Sequence, residues 1–519
     1  MASLNHYLLG HIKGLHLRDQ GIVQFLGIQY ATLTHRFDVP ELRMDYPGTI
    51  DATSRGPPVV RPPITCDVEF GLIQKALDKP NYPPMSDLDG LNLDITIPQE
   101  ALTNHNANLP VLVFIHGGAF IIGDSGAPHQ DMAAIVAYSR SIGKPIIGVS
   151  INYRLGVAGF LDSNELRESG IQENRGLLDQ ETAFEWISRN IGGFSGDPAR
   201  TTVIGQSAGA SSVMHLLDLD PTLFDRAICL SGNNLAVPVS TRSAAQDAYK
   251  SVLECLEIDS TLSSKDQLAA LIAVSPEDIL SKLSPSIHLQ PVIDTDEQPS
   301  FRNLGNYLAP RCYRVPLMIG SADFDAVIFE VLGIFEGREK GSLARDFIRY
   351  LTVNVPETYH GKVKSLVALY KISTEDDDDE SRIKIIQFAT DLKYYATSKH
   401  YASFWPTQSW LYYFNESNPW EGPHQGRSAH CLDIAYLFLN YSSVMSDSQK
   451  ETSKDFARDV IEFTNGGSPP WGEFHDNGEI KVYGTPGKSQ APSQEVQHLW
   501  EDIGLDNLVK GWDAFSARL

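Results

Sequence analysis

The stretch Thr201–Val213, TTVIGQSAGASSV, holds residues whose types and spacing suit covalent chemistry. A β-branched run, Thr201-Thr202-Val203-Ile204, stops at Gly205-Gln206-Ser207-Ala208-Gly209, and small, helix-compatible residues follow. This is Gly-x-Ser-x-Gly, the pattern in which a serine stands on a sharp strand-to-helix turn with its hydroxyl exposed as a nucleophile. The flanking glycines are needed because a Cβ there would collide with the neighbouring strand or helix. A plainer reading stays open: a tight strand–helix turn in which glycine serves packing alone. The strand before and the helix after are the context that the chemical reading requires.

A second group of residues fits the same chemistry. His116-Gly117-Gly118-Ala119-Phe120 follows the apolar run VLVFI, well ahead of the serine in the chain. Glycines after a strand let a substrate approach bare backbone. The N–H groups of Gly117 and Gly118, with that of Ala208 after the serine, are therefore expected to stabilise an oxyanion. The alternative is an ordinary Gly-Gly turn, and His116 itself reads as a structural histidine.

Positioning such groups takes rigid elements. VLVFIHGG is a continuous apolar run ending in glycines, the mark of a strand buried on both faces, and KPIIGVSINYR, TTVIG, RAICLSG, VPLMIGSA and WLYYFN repeat it. Helical stretches lie between them. In GLLDQETAFEWISRNIG, Leu178, Ala183, Trp186 and Ile187 fall near one face and the helix is expected to end at Gly192. Strand–helix alternation of this kind predicts an α/β chain with a mostly parallel sheet and helices on both faces. The first hundred residues, rich in proline, read as short strands and loops covering something else, while 241–300 and 340–400 read as helical and insertion-like. The acidic run from Glu375 to Glu380 reads as a solvated loop. No interdomain linker stands out, which favours one domain over 1–519 with a large cap.

Bulk properties narrow the function. A net charge of −23 over 519 residues leaves no basic footprint for nucleic acid. No window approaches the ~20 apolar residues of a membrane span. The N-terminus, MASLNHYLLGHIKG, lacks the apolar core of a secretory signal. The five cysteines (Cys66, Cys229, Cys255, Cys312, Cys431) form no Cys-x-x-Cys, so neither a zinc framework nor a redox motif is indicated. A soluble chain with reduced thiols in the cytoplasm is the expectation.

Longer blocks carry a resemblance. QFLGIQYA with RFDVP, VLVFIHGGAF, INYRLGVAGFL, NRGLLDQETAFEWISRNIGGFSGDPARTTVIGQSAGASSV, AICLSG and FTNGGSPPWGEF together resemble the type-B carboxylesterase/lipase family, the cholinesterase-like branch of the α/β-hydrolases, most of all its fungal members. That resemblance implies an α/β-hydrolase fold, with cap insertions here near 60–90 and 270–400. It also implies a triad in the order serine, acid, histidine. The family's acid turn reads here Gly320-Ser321-Ala322-Asp323-Phe324-Asp325-Ala326, which puts Asp325 at the acid position and leaves Asp323 and Glu330 as rivals. The family's histidine pattern matches His430-Cys431-Leu432-Asp433-Ile434-Ala435-Tyr436-Leu437-Phe438. His424 lies nearby without the pattern.

The implied activity is hydrolysis of a small or medium carboxylic ester by Ser207, His430 and Asp325, with no metal or cofactor. An acyltransferase or cyclising enzyme of specialised metabolism would use the same triad. A non-catalytic binding protein is the more distant alternative. Phe120 and Phe324 flank the site-forming loops and are expected either beside the substrate pocket or packed in the core, and Gln206 is expected beside the pocket. Three departures from the family matter. Gln206 replaces its usual glutamate, which is expected to remove a carboxylate without touching the triad. Gly90 occupies a cysteine position, leaving Cys66 without its family partner. No tryptophan lies between Cys66 and Gly90, which argues against a choline ester.

Overall fold

The computed structural model describes residues 1–104, 107–237, 239–284, 287–293, 298–311, 313–484 and 491–517. Among them, twelve strands form one large sheet. These are β1 (Ala2–His6), β2 (Gly10–Leu17), β3 (Ile22–Gln29), β4 (Ile50–Ala52), β5 (Asn92–Pro98), β6 (Leu109–Ile115), β7 (Ile147–Ile151), β8 (Gly196–Gln206), β9 (Arg226–Leu230), β10 (Leu317–Ala322), β11 (Ser409–Phe414) and β12 (Ile480–Tyr483). The order is β1-β2-β3-β5-β7-β6-β8-β9-β10-β11-β12, with β4 alongside β2. Every pairing from β7 through β12 is parallel, and β1, β2, β3, β5 and β7 pair antiparallel.

The apolar runs are continuous because the sheet is covered on both faces. Along β6, Leu112 and Phe114 enter one hydrophobic core while Val111, Val113 and Ile115 enter the other. Strands β8 and β10 split in the same way: Ile204 and Met318 face the first core, Val203, Leu317 and Ile319 the second. Alternation of side chains across the pleat produces this division.

Several elements differ from their sequence-based expectation. The first hundred residues do not merely cover the sheet; they supply its largely antiparallel end, β1 to β5, in which β4 alone runs parallel to β2. In the helix Arg175–Asn190 the buried stripe runs through Leu177, Ala183, Trp186 and Ile187, and Leu178 is only half-buried. The helix ends at Asn190, where a 3₁₀ turn over Ile191–Phe194 tightens the exit. The 270–400 region holds helices at Leu343–Val353, His360–Leu369 and Asp378–Thr390, but β10 passes through it and belongs to the central sheet. The acidic run is no loose loop. Asp377 caps the helix Asp378–Thr390 by accepting from the Glu380 N–H at 2.8 Å, and its acidic first turn complements the positive helix end.

Cys66, Cys229, Cys255 and Cys431 are free thiols, and Cys312 lies outside the described residues. Gly90 is held by packing: a Cβ there would stand 2.8 Å from Val59 Cα, so a cysteine would need the backbone to move.

Candidate active site

Strand β8 ends at Gln206, and the helix Ala208–Leu219 begins one residue later. Ser207, in the gap, has φ 54° and ψ −121°, a conformation that non-glycine residues rarely hold. Two backbone hydrogen bonds pin it there. The Ser207 N–H donates to the Leu230 carbonyl at 2.9 Å, and the Ser211 N–H donates to the Ser207 carbonyl at 3.0 Å. The flanking glycines are required by contact. A Cβ at Gly205 would stand 2.2 Å from the Gly209 carbonyl oxygen, and one at Gly209 would stand 2.1 Å from that of Ile115. Gly232 faces the serine from just past the end of β9, where a Cβ would lie 2.4 Å from the Ser207 carbonyl oxygen.

The acid turn leaves the end of β10. Asp325 is fully buried, and its Oδ2 accepts from the Ala322 N–H at 2.6 Å. Its Oδ1 accepts from His430 Nδ1 at 2.8 Å. The loops carrying the two residues are tied together, since the Phe324 N–H donates to the Ser428 carbonyl at 2.9 Å and Phe324 bridges Ala429. The other acids go elsewhere. Asp323 accepts from the Tyr413 hydroxyl at 2.7 Å, and Glu330 pairs with Arg382 at 3.6 Å on a half-exposed surface. The His424 backbone N–H donates to Gln74 Oε1 at 2.6 Å, and its ring sits against Phe324.

The histidine lies just before a short helix, Leu432–Leu437, joined to it through Cys431 with φ 72°. The Tyr394 ring packs 5.7 Å from the imidazole. Asp433, one turn on, is buried and accepts from the Ser231 hydroxyl at 2.8 Å. Burial raises its carboxyl first, and the negative charge of Asp325 raises it further.

On the opposite side of His430 the structure departs from expectation. His430 Nε2 meets the Gln206 side-chain nitrogen at 3.1 Å. Ser207 Oγ has no hydrogen-bond partner among the described residues. Gln206 thus touches the imidazole directly, and replacing glutamate at this position does more than delete a charge.

The glycine loop after β6 carries a run of positive φ: Gly118 at 101°, Ala119 at 54° and Phe120 at 62°. The Gly118 carbonyl accepts from the N–H groups of Ile121 and Ile122, closing the turn. The N–H groups of Gly117, Gly118, Ala119 and Ala208 meet no acceptor among the described residues. Ala119, with φ 54°, joins this loop's run of left-handed backbone, which its residue type did not signal. His116 is buried against Tyr153 and bonded to the Gly117 carbonyl, and burial pushes its imidazole down to about 4, which keeps it neutral. Phe120 is buried against Phe160, and Phe324 is buried beneath the Arg427 guanidinium.

The chain has relatives among known proteins. Residues 3–492 match the model of the carboxylesterase family. The chain belongs to that family. It is 26% identical over 497 residues to the para-nitrobenzyl esterase of Bacillus subtilis, covering 90% of this chain and 91% of that one. It is 25% identical over 487 residues to Lipase 1 of Yarrowia lipolytica, covering 91% and 88%. Among solved structures, a PNB esterase superposes with a TM-score of 0.70 at 25% identity, covering 93% of this chain and 96% of that one. This carboxylesterase-family chain has the α/β-hydrolase fold of those neighbours and is a carboxylic ester hydrolase. Among its described residues no helix is long and apolar enough to cross a membrane.

Proposed function

We propose that the chain hydrolyses a carboxylic ester through Ser207, His430 and Asp325, by way of an acyl-enzyme. The observation that carries this reading is the buried Asp325–His430 pair, 2.8 Å apart, beside a serine held in a strained turn. Asp325 accepts the Nδ1 proton, so the lone pair of the neutral imidazole resides on Nε2. That nitrogen takes the Ser207 proton as Oγ attacks the acyl carbonyl, and the nearby carboxylate stabilises the imidazolium. The carbonyl oxygen becomes an oxyanion beside the amides of Gly117, Gly118 and Ala208. Ala119 is a further donor with no competing acceptor. Each such donor contributes about 3 kcal/mol in a comparable site. The imidazolium then protonates the leaving alcohol, and a water activated by His430 releases the acid.

The test is hydrolysis of p-nitrophenyl esters from acetate to decanoate by wild type and Ser207→Ala. Activity confined to wild type supports the reading, and the chain-length optimum sizes the acyl pocket. Equal rates in the two proteins would overturn the role of Ser207.

A further inference from the structure

We infer that Gln206 is a positioning residue that occupies the base before the substrate arrives. This rests on the reading of His430 as the general base. The assignment follows from the pair on the other side of the ring. Asp325 Oδ1 lies 2.8 Å from Nδ1 and, as an acceptor, holds the proton there. Nε2 of the neutral ring then carries a lone pair and needs a donor. The Gln206 carboxamide stands 3.1 Å away, and only its NH₂ group satisfies that need; its oxygen would set two acceptors face to face. The NH₂ group also approaches Cys431 Sγ at 3.7 Å. The carboxamide therefore sits where the Ser207 hydroxyl must donate.

Such a contact stabilises only the resting state. Once Nε2 takes the serine proton it is a donor, and the Gln206 NH₂ group keeps only the weak sulfur acceptor of Cys431. An interaction present in the ground state and lost in the transition state slows acylation by its own worth. Gln206 thus holds the base in one tautomer and orientation, and yields the lone pair when the reacting serine claims it. A purely structural glutamine at this buried position would behave oppositely, since its removal would loosen the site and lower the rate.

The other titratable groups around the ring are Asp325 at Nδ1, Asp433 and Cys431 on the histidine's own segment, and Tyr394 across from it, with Glu69 acting on Cys431. None of these meets Nε2. A change at position 206 is thus read directly by that nitrogen.

The experiment compares wild type, Gln206→Met and Gln206→Glu in kcat/KM for p-nitrophenyl acetate across pH. Methionine keeps the length but cannot donate, so kcat/KM at the plateau rises about three- to tenfold, the worth of one neutral hydrogen bond. Glutamate accepts from the imidazolium, and the acid limb of its profile moves up by about one pH unit or more. A methionine variant no faster than wild type overturns the inference. If that variant does not fold, the glutamate profile decides alone, and an acid limb unmoved from wild type overturns it. Fluorophosphonate labelling of His430→Ala separates the two levels. Labelling as fast as wild type would overturn the base itself, whereas lost labelling with an unmoved Gln206→Glu limb overturns Gln206 alone.

Discussion

Asp325 Oδ1 and His430 Nδ1 lie 2.8 Å apart although 105 residues separate them in the chain. Both side chains are buried, so the pair is shielded from competing water. The turn after β10 brings the carboxylate there, and a second hydrogen bond to the Ala322 N–H fixes its rotation. The Phe324–Ala429 bridge holds the two loops together beside this pair.

Asp325→Asn keeps the shape of this contact but offers the imidazole an NH₂ group or a weaker acceptor. The wrong tautomer follows, and kcat for p-nitrophenyl butyrate is expected to fall about 10³–10⁴-fold. Glu330→Gln, half-exposed and paired with Arg382, stays within about threefold. Steady-state rates of the two variants at neutral pH are the check; equal losses would put the acid elsewhere.

Gly209→Ala tests the turn as a packing problem. The added Cβ would stand 2.1 Å from the Ile115 carbonyl oxygen, a backbone atom at the end of the central strand β6. A cost of about 3 kcal/mol or more in unfolding free energy is expected. Chemical denaturation would show it; a variant as stable as wild type would mean that the helix can back away from the sheet.

Glu69 offers a prediction in pH. It is fully buried, and desolvation first, then the negative charge of Asp124, push its carboxyl up to about 8, with Arg61 opposing. Between about 4.5 and 8 the folded chain keeps a proton that the unfolded chain releases. Stability is therefore lost as pH rises through that window. Glu69→Gln removes this slope. It should match wild type near pH 4 and exceed it by about 2–5 kcal/mol near pH 9. Urea unfolding of both proteins at the two pH values decides the matter; parallel curves would contradict it.

Much of this was legible before any coordinates. The strands from β6 to β11 announce themselves because burial on both faces demands unbroken apolar runs, and Ser207 is marked by glycines that contact makes necessary. Asp325 and His430 were reachable only through a family pattern, since no local spacing links residues that meet across two loops. Leu178 misled because a helix face one position off looks the same in a short window. Phe120 and Phe324 stayed open between pocket and core because neighbouring a site loop does not decide which way a ring points, and both rings belong to the buried hydrophobic clusters. The Gln206–His430 contact had no signal in the sequence: it depends on the rotation of a single side chain.

The most direct measurement is the site of covalent labelling. Wild type would be treated with a fluorophosphonate, digested, and the modified peptide identified by mass spectrometry, with Ser207→Ala alongside. The account predicts one modified residue, Ser207, and no labelling in the variant, whose ester hydrolysis falls by at least about 10⁴-fold. Label on another serine, or a variant that labels and turns over as wild type does, would contradict it.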